Sequence, residues 1–311
     1  MNEWSIPMEG ETLHWMEVRL LVPETDSLEL ETLEQALLAV TPGGFAVESW
    51  DAPPIGERPP VPMGWVRYLV YVGEHVLEQA RLAISQATTR WPTATQEAVP
   101  LDDGWRERWK QYFKPLKASK RFVVAPPWEH PTLQEGERLL VIEPAMAFGT
   151  AQHETTALCL ERVDDLFAER HFSNVLDVGT GTGILAIAAT MLGADRSLGT
   201  DNDPNAVLAA RDNLRLNPSV GSAQIAMEGT PIEDVEGSFD LVLANILTPT
   251  LLLLSAAIAA RVAAGGVLAL SGILKDQAPE IIAAFAAHGL THTGTADKNG
   301  WVRVDFVREA G

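Results

Sequence analysis

One nine-residue run constrains this chain more than any other feature. Residues 175–183 read Val-Leu-Asp-Val-Gly-Thr-Gly-Thr-Gly, an apolar strand that ends in a turn with glycine at every second position. Asp201, eighteen positions beyond Gly183, closes a second short apolar strand. Glycine is needed where a chain turns sharply or lets a ligand lie against its backbone, and an acidic group ending the next strand can accept hydrogen bonds from a ribose diol. Together they describe an adenosine-binding cleft at the carboxyl ends of a parallel sheet. The dinucleotide fingerprint would place its third glycine at position 184, which is Ile184. An NAD-dependent oxidoreductase is therefore disfavoured, and no hydride-site partner is evident.

Composition narrows the class. A length of 311 residues suggests two domains, and 46% hydrophobic residues supply a sizeable core. The formal charge of -19 argues against nucleic-acid binding, which needs clustered Lys and Arg. A basic partner would be attracted instead. The one cysteine, Cys159, can form neither an internal disulfide nor a metal cluster; its apolar helical setting reads as a buried, inert thiol in a reducing cytosol. Met1 to Gly10, with Glu3, Pro7, Glu9 and Gly10, does not read as a signal peptide. The apolar stretch from Ile246 to Leu274 is broken by Pro249, Arg261, Gly265 and Gly266, which predicts helix, turn and strand rather than a membrane span.

The first hundred residues read as a separate unit of order β-α-β-β-α-β, the ferredoxin-like arrangement. Its strands are expected at 14–22, 45–50, 65–72 and 95–99, and its helices at 27–40 and 74–90. Residues 101–116 place Trp105, Trp109, Tyr112 and Phe113 at helical spacing, which predicts an amphipathic linker helix ending at Pro115. The third segment, 117–311, opens with strands at 122–125 and 139–142. From Val175 it alternates strands with helices and closes in a hairpin at Asn299-Gly300. This is a doubly wound, Rossmann-like α/β sheet whose last strand runs antiparallel.

Several segments share a family likeness. The Gly179-x-Gly181-x-Gly183 spacing with Asp177 ahead of it resembles the motif of S-adenosylmethionine-dependent methyltransferases of the seven-stranded class. With it stand Glu143-Pro-Ala-Met-Ala-Phe-Gly-Thr-Ala-Gln-His-Glu-Thr-Thr156, Gly199-Thr-Asp-Asn-Asp-Pro204, Leu243-Ala-Asn-Ile-Leu247, Ser271-Gly-Ile-Leu274, Trp105-x-x-x-Trp109-Lys110 and Pro126-Pro127-Trp128. Together these resemble the bacterial methyltransferases of ribosomal protein L11 over nearly the whole chain. The family pattern Pro-Gly-x-Ala-Phe-Gly-Thr-Gly-x-His is met with Ala145 and Ala151 at two glycine positions, which puts the mobility of that loop in question.

The resemblance implies that Thr156, Gly179, Gly181, Asp201 and Asn245 bind S-adenosyl-L-methionine, with Asn245 also aligning the acceptor amine. It implies methylation of the α-amino group and lysine side chains of ribosomal protein L11; a monomer in the cytoplasm, binding neither metal nor membrane, is expected beside it. Residues 1–100 would recognise the substrate. His153 is not assigned as a base, and no single acidic residue is expected to be indispensable as one. Two other readings stay open: another amine acceptor, or a non-catalytic acidic module on the same fold. An amide acceptor is disfavoured, because Asn-Ile-Leu-Thr stands where glutamine methyltransferases carry Asn-Pro-Pro-Tyr.

Overall fold

The computed structural model describes residues 15–24, 45–50, 58–101, 113–143, 154–221 and 223–310, together with residues 30, 33, 34 and 37. The chain divides into two units, Met1–Phe113 and Lys114–Gly311.

In the first unit, β1 (Trp15–Pro23), β2 (Phe45–Ser49), β3 (Trp65–Gly73) and β4 (Thr95–Pro100) form an antiparallel sheet in the order β2-β3-β1-β4. Together with the Leu77–Ala87 helix and the helical residues Leu30, Leu33, Glu34 and Leu37, this is the ferredoxin-like arrangement. Alternation decides the faces: Val18, Leu20, Val22, Tyr68 and Val70 enter the core beside Leu33, Leu37, Ala80 and Ile84. Glu17, Glu48 and Arg67 sit on the opposite parity and are buried as well. Arg67 Nη1 donates to Glu48 Oε2 at 2.7 Å and to Pro59 O at 3.0 Å, while Arg58 pairs with Glu17.

The second unit begins with a small three-stranded sheet of β5 (Leu116–Lys117), β6 (Phe122–Ala125) and β7 (Arg138–Val141). Leu116 therefore pairs with Val124 in a strand, where the sequence pattern assigned it to the end of the linker helix. Pro115, which lacks an N–H and disfavours helical geometry in the residue before it, bars a helix from running into this strand; residues 102–112 of the expected linker helix lie outside the described residues.

The main sheet has seven strands in the order β10-β9-β8-β11-β12-β14-β13. They are β8 (Asn174–Val178), β9 (Arg196–Thr200), β10 (Ile225–Glu228), β11 (Phe239–Asn245), β12 (Val262–Leu274), β13 (Thr291–Lys298) and β14 (Trp301–Val307). The five from β8 to β12 are parallel, and β14 runs antiparallel between β12 and β13. The closing hairpin turns at Asn299 and Gly300, both with positive φ (52° and 85°), as a two-residue primed turn requires.

Helices cover both faces. Helices Glu154–Glu169, Ile184–Met191 and Pro204–Leu216 pack over Val175, Leu241, Leu243 and Ala269; helices Thr248–Leu253, Ser255–Ala260 and Ala278–Ala286 pack over Leu176, Val242, Leu268 and Leu270. Fully burying each such aliphatic side chain contributes about 1.5–3 kcal/mol. The alternation of strand with helix fails once, because β10 and β11 are joined only by the 3-10 turn Ile232–Asp234. Gly229, Pro231 and Gly237 punctuate a connection too short for more.

The order of strands reverses between β8 and β11, the site where open parallel sheets hold their ligands. Val178 of β8 pairs with Ala244 of β11, so the glycine turn and Asn245 emerge side by side at the carboxyl edge.

Candidate active site

The glycine turn leaves β8 with Gly179, Gly181 and Gly183 all at positive φ (68°, 54° and 79°). Gly183 caps the Ile184–Met191 helix, and its amide closes the turn by donating to Thr180 O at 2.8 Å. Gly179 is confined by space as well as by angle: a Cβ there would lie 2.4 Å from Ile246 Cγ2. Ile246 also approaches Gly272, where a Cβ would meet the Ile246 carbonyl oxygen at 2.4 Å. Three strand ends are thus pressed together around the residue that follows Asn245.

Asp201 follows β9 and ties the next strand end to the turn. Its Oδ2 accepts from the Gly181 amide at 3.0 Å and its Oδ1 from the Asp203 amide at 3.0 Å. Each carboxylate oxygen has a further acceptor position, enough for two hydroxyls. Asp203 then caps the Pro204–Leu216 helix by accepting from Asn205 N at 2.9 Å, with Pro204 in the first turn.

Thr156 lies in the first turn of the Glu154–Glu169 helix and is fully buried. Its Oγ1 accepts from Asn245 Nδ2 at 3.2 Å. That contact fixes the Asn245 amide and leaves its Oδ1 buried with no donor among the described residues. An orphaned carbonyl oxygen costs about 1–3 kcal/mol. The geometry brings Thr156 and Asn245 together, and likewise Gly181 and Asp201. Ala145, Ala151 and His153, and the linker residues Trp105 and Trp109, lie outside the described residues.

Two buried polar residues around the turn had no role assigned from sequence, Asp177 being named only as part of the motif. Asp177 is buried beneath the turn, where its Oδ2 accepts from Thr180 Oγ1 at 2.6 Å and from Ala186 N at 3.3 Å. Burial pushes its carboxyl up to about 7, against the pull of those two donors and with help from the nearby Asp201 charge. Asn213 is also buried, and bridges Thr182 O (2.9 Å, as donor) and Glu143 N (2.9 Å, as acceptor). Asn213 and Asn217 stand four apart on one helix side, and Asn217 likewise ties Val141 through both its amide atoms. Two asparagines at that spacing on an otherwise apolar face were the available signal. Cys159 is buried, and burial pushes its thiol up to about 12, so it stays protonated.

A sequence profile described as "Ribosomal protein L11 methyltransferase (PrmA)" matches residues 15–309. The chain belongs to that family. Among its relatives, the ribosomal protein L11 methyltransferase of Myxococcus xanthus is 41% identical over 268 residues, covering 85% of this chain and 90% of the relative. The one from Geobacter metallireducens is 34% identical over 297 residues, covering 92% and 96%. A solved ribosomal protein L11 methylase from Lactobacillus delbrueckii subsp. bulgaricus matches with a TM-score of 0.58 at 32% identity, over 63% of this chain and 100% of the solved one. This PrmA-family chain has no helix, among the described residues, long and apolar enough to cross a membrane. Nor do the described residues hold a group of three or more His, Cys, Asp and Glu able to bind a metal.

Proposed function

We propose that this protein transfers a methyl group from S-adenosylmethionine to amine nitrogens of ribosomal protein L11, the α-amino group and lysine side chains. The observation that carries the reading is Asn245 Oδ1, a buried acceptor beside the glycine turn with no donor among the described residues. Such an atom is retained where a ligand supplies the missing partner. The remaining residues fit the cofactor too. Gly179 offers bare backbone to its methionyl part, Asp201 has acceptor capacity for the ribose hydroxyls, and Thr156 orients Asn245. When bound, the sulfonium supplies a methyl group already activated for displacement.

The chain's own task is then largely positioning. Oriented reactants gain about 7–11 kcal/mol in the best intramolecular cases, and Asn245 Oδ1 can accept from an incoming amine N–H so that its lone pair faces the methyl. A protonated amine cannot attack. An α-amino group, with a pKa of about 7.7–8.0, is partly neutral at neutral pH, whereas lysine, near 10.4, must be desolvated in the cleft.

Residues 1–100 take the role of substrate recognition in this reading, residues 101–116 link, and residues 117–311 catalyse. The protein works as a monomer in the cytoplasm without binding nucleic acid. Its strongly acidic balance supports the last point.

The deciding experiment incubates the enzyme with labelled S-adenosylmethionine and purified ribosomal protein L11, then maps the label by mass spectrometry. Label on the N-terminus and lysines, lost in Asn245→Ala, is the expected result. No transfer despite cofactor binding would reject the substrate, and no cofactor binding would reject the site. Removing residues 1–100 is expected to spare cofactor binding and abolish transfer to the protein. Light scattering checks the monomer.

A further inference from the structure

Under the Glu154–Glu169 helix, β14 carries a buried ion pair on the face where β11 and β12 present Leu243 and Ala269 and where β8 presents Asp177. Arg303 and Asp305 lie two residues apart on β14 and pair through two parallel bonds, Nε to Oδ1 and Nη2 to Oδ2, each 3.0 Å. Their side chains are 12% and 5% exposed. The third arm of the guanidinium reaches the helix itself, with Nη1 donating to the main-chain carbonyl of Leu158 at 3.1 Å. One turn further on, Arg162 Nε lies 3.2 Å from Asp305 Oδ2. The hairpin tip adds a weaker grip, Asn299 Nδ2 donating to Glu154 Oε1 at 3.0 Å.

Stability does not account for this arrangement. Well-packed apolar residues of similar volume serve a helix-sheet interface as well as a buried ion pair or better, because the charges need not be desolvated. What a charged pair bonded to a main-chain carbonyl adds is a fixed position along the helix axis. Apolar contacts tolerate sliding, whereas a hydrogen bond weakens steeply beyond its short range. Thr156 sits two residues ahead of Leu158, and its contact with Asn245 is 3.2 Å long. An axial slip of one residue is about 1.5 Å, enough to break it.

We infer that Arg303 and Asp305 set the axial register of the Glu154–Glu169 helix and thereby hold Thr156 against Asn245, making them positioning residues for the cofactor. The inference rests on the reading of Thr156 and Asn245 as cofactor-binding residues. It accounts for a buried charged pair on β14 beneath the helix, and for the guanidinium being aimed at a carbonyl near the start of that helix.

The test compares the full-length protein with the double variant Arg303→Leu/Asp305→Leu by calorimetric titration of S-adenosylmethionine, thermal melting, and amide exchange of the cofactor-free protein. Melting is expected to stay within a few degrees, affinity to fall about tenfold, and exchange at residues 158–160 to quicken about tenfold. Combined with Thr156→Val, the double variant should weaken binding no further than Thr156→Val alone does. Losses that multiply, or affinity and exchange both unchanged, overturn the inference. If the double variant does not fold, Arg303→Lys keeps the charge and loses the fork, and is read by the same criteria. A wild-type protein that binds no cofactor, while the variant still exchanges faster, would sink the cofactor reading and leave the register role standing.

Discussion

Both units bury carboxylates against arginines, as at Glu17 and Glu48 in the first and Asp305 in the second, but the second also buries Asp177, which is met in the opposite way. In the ferredoxin-like unit Glu17 and Glu48 lie under the sheet's second face, surrounded by Arg19, Arg58 and Arg67. Burial alone would push the Glu17 carboxyl up, but hydrogen bonds from Arg58 and Arg19 outweigh it and hold the group below its ordinary range. In the second unit Asp177 has, among the described residues, only a hydroxyl and an amide as donors, and its carboxyl is pushed up to about 7 by burial. Asn245 keeps an acceptor with no donor among the described residues. A buried polar group that closes on countercharges is architecture. One left open at a strand-order reversal is available for chemistry.

The largest effect that could break this contrast is a difference in sign with pH. For Asp177 the folded-state value exceeds the unfolded one, so the stability it contributes is present at the acid end and is lost as pH rises from about 4 to about 7. A shift of that size corresponds to at most about 4 kcal/mol. Glu17 behaves in reverse, its contribution being present above the unfolded value and lost as pH falls through the depressed folded one. Denaturant titrations of Asp177→Asn should therefore lose a falling stability slope between pH 4 and 7, and those of Glu17→Gln should lose a rising slope below it. Equal slopes in the wild type and in Asp177→Asn would show that the carboxyl under the turn ionises normally.

Next in size is Arg67→Met, which takes away the guanidinium 2.7 Å from Glu48. Truncating one partner of a buried pair costs about 3 kcal/mol or more. Cofactor affinity of the folded protein should not change. Replacing both members, as Arg67→Met/Glu48→Leu, should recover most of the loss, and a double variant as unstable as the single one would contradict the closed-network view.

The legible part of this molecule was what local pattern dictates. Alternating apolar residues gave the strands, and the glycine run with Asp201 gave the turn after β8 and the strand end bonded to it, because turns and strand ends are written in consecutive residues. What stayed hidden depends on where strands lie after folding. Nothing near residue 177 announces that its carboxyl will be sealed beneath the turn, since Thr180 and Ala186 reach it only once the helix has docked. Asn213 holds Glu143, 70 residues earlier; the asparagines at 213 and 217 mark a polar helix side, but nothing near them names the segment it binds. Leu116 was misplaced because its strand partner, Val124, lies beyond any helical window.

Asn245→Ala probes the open side of the contrast. The variant removes an oxygen with no donor among the described residues and one 3.2 Å bond to Thr156, so stability should change by no more than about 1 kcal/mol, while methyl transfer falls about 100-fold, the loss typical of removing one preorganised polar group, roughly 2.7 kcal/mol. Single-turnover transfer and thermal melting on the same preparation separate the two quantities. A large drop in stability with normal transfer by the folded fraction would make Asn245 structural, like the network around Glu48.

The smallest effect asks whether packing holds the open site in shape. Gly179→Ala meets two obstacles, a left-handed backbone that costs an L-residue about 1 kcal/mol and the Ile246 Cγ2 methyl 2.4 Å from the new Cβ. The second obstacle belongs to a side chain, so Ile246→Ala in the same protein removes it and leaves the first. Cofactor affinity should fall about tenfold in Gly179→Ala and recover by half or more of that loss, on a logarithmic scale, in the double variant, as measured by calorimetric titration. If the double variant binds no better than Gly179→Ala, backbone conformation alone shapes the turn. Ile246 would then be a bystander to the cleft rather than the wedge that keeps Asn245 and Gly179 in place.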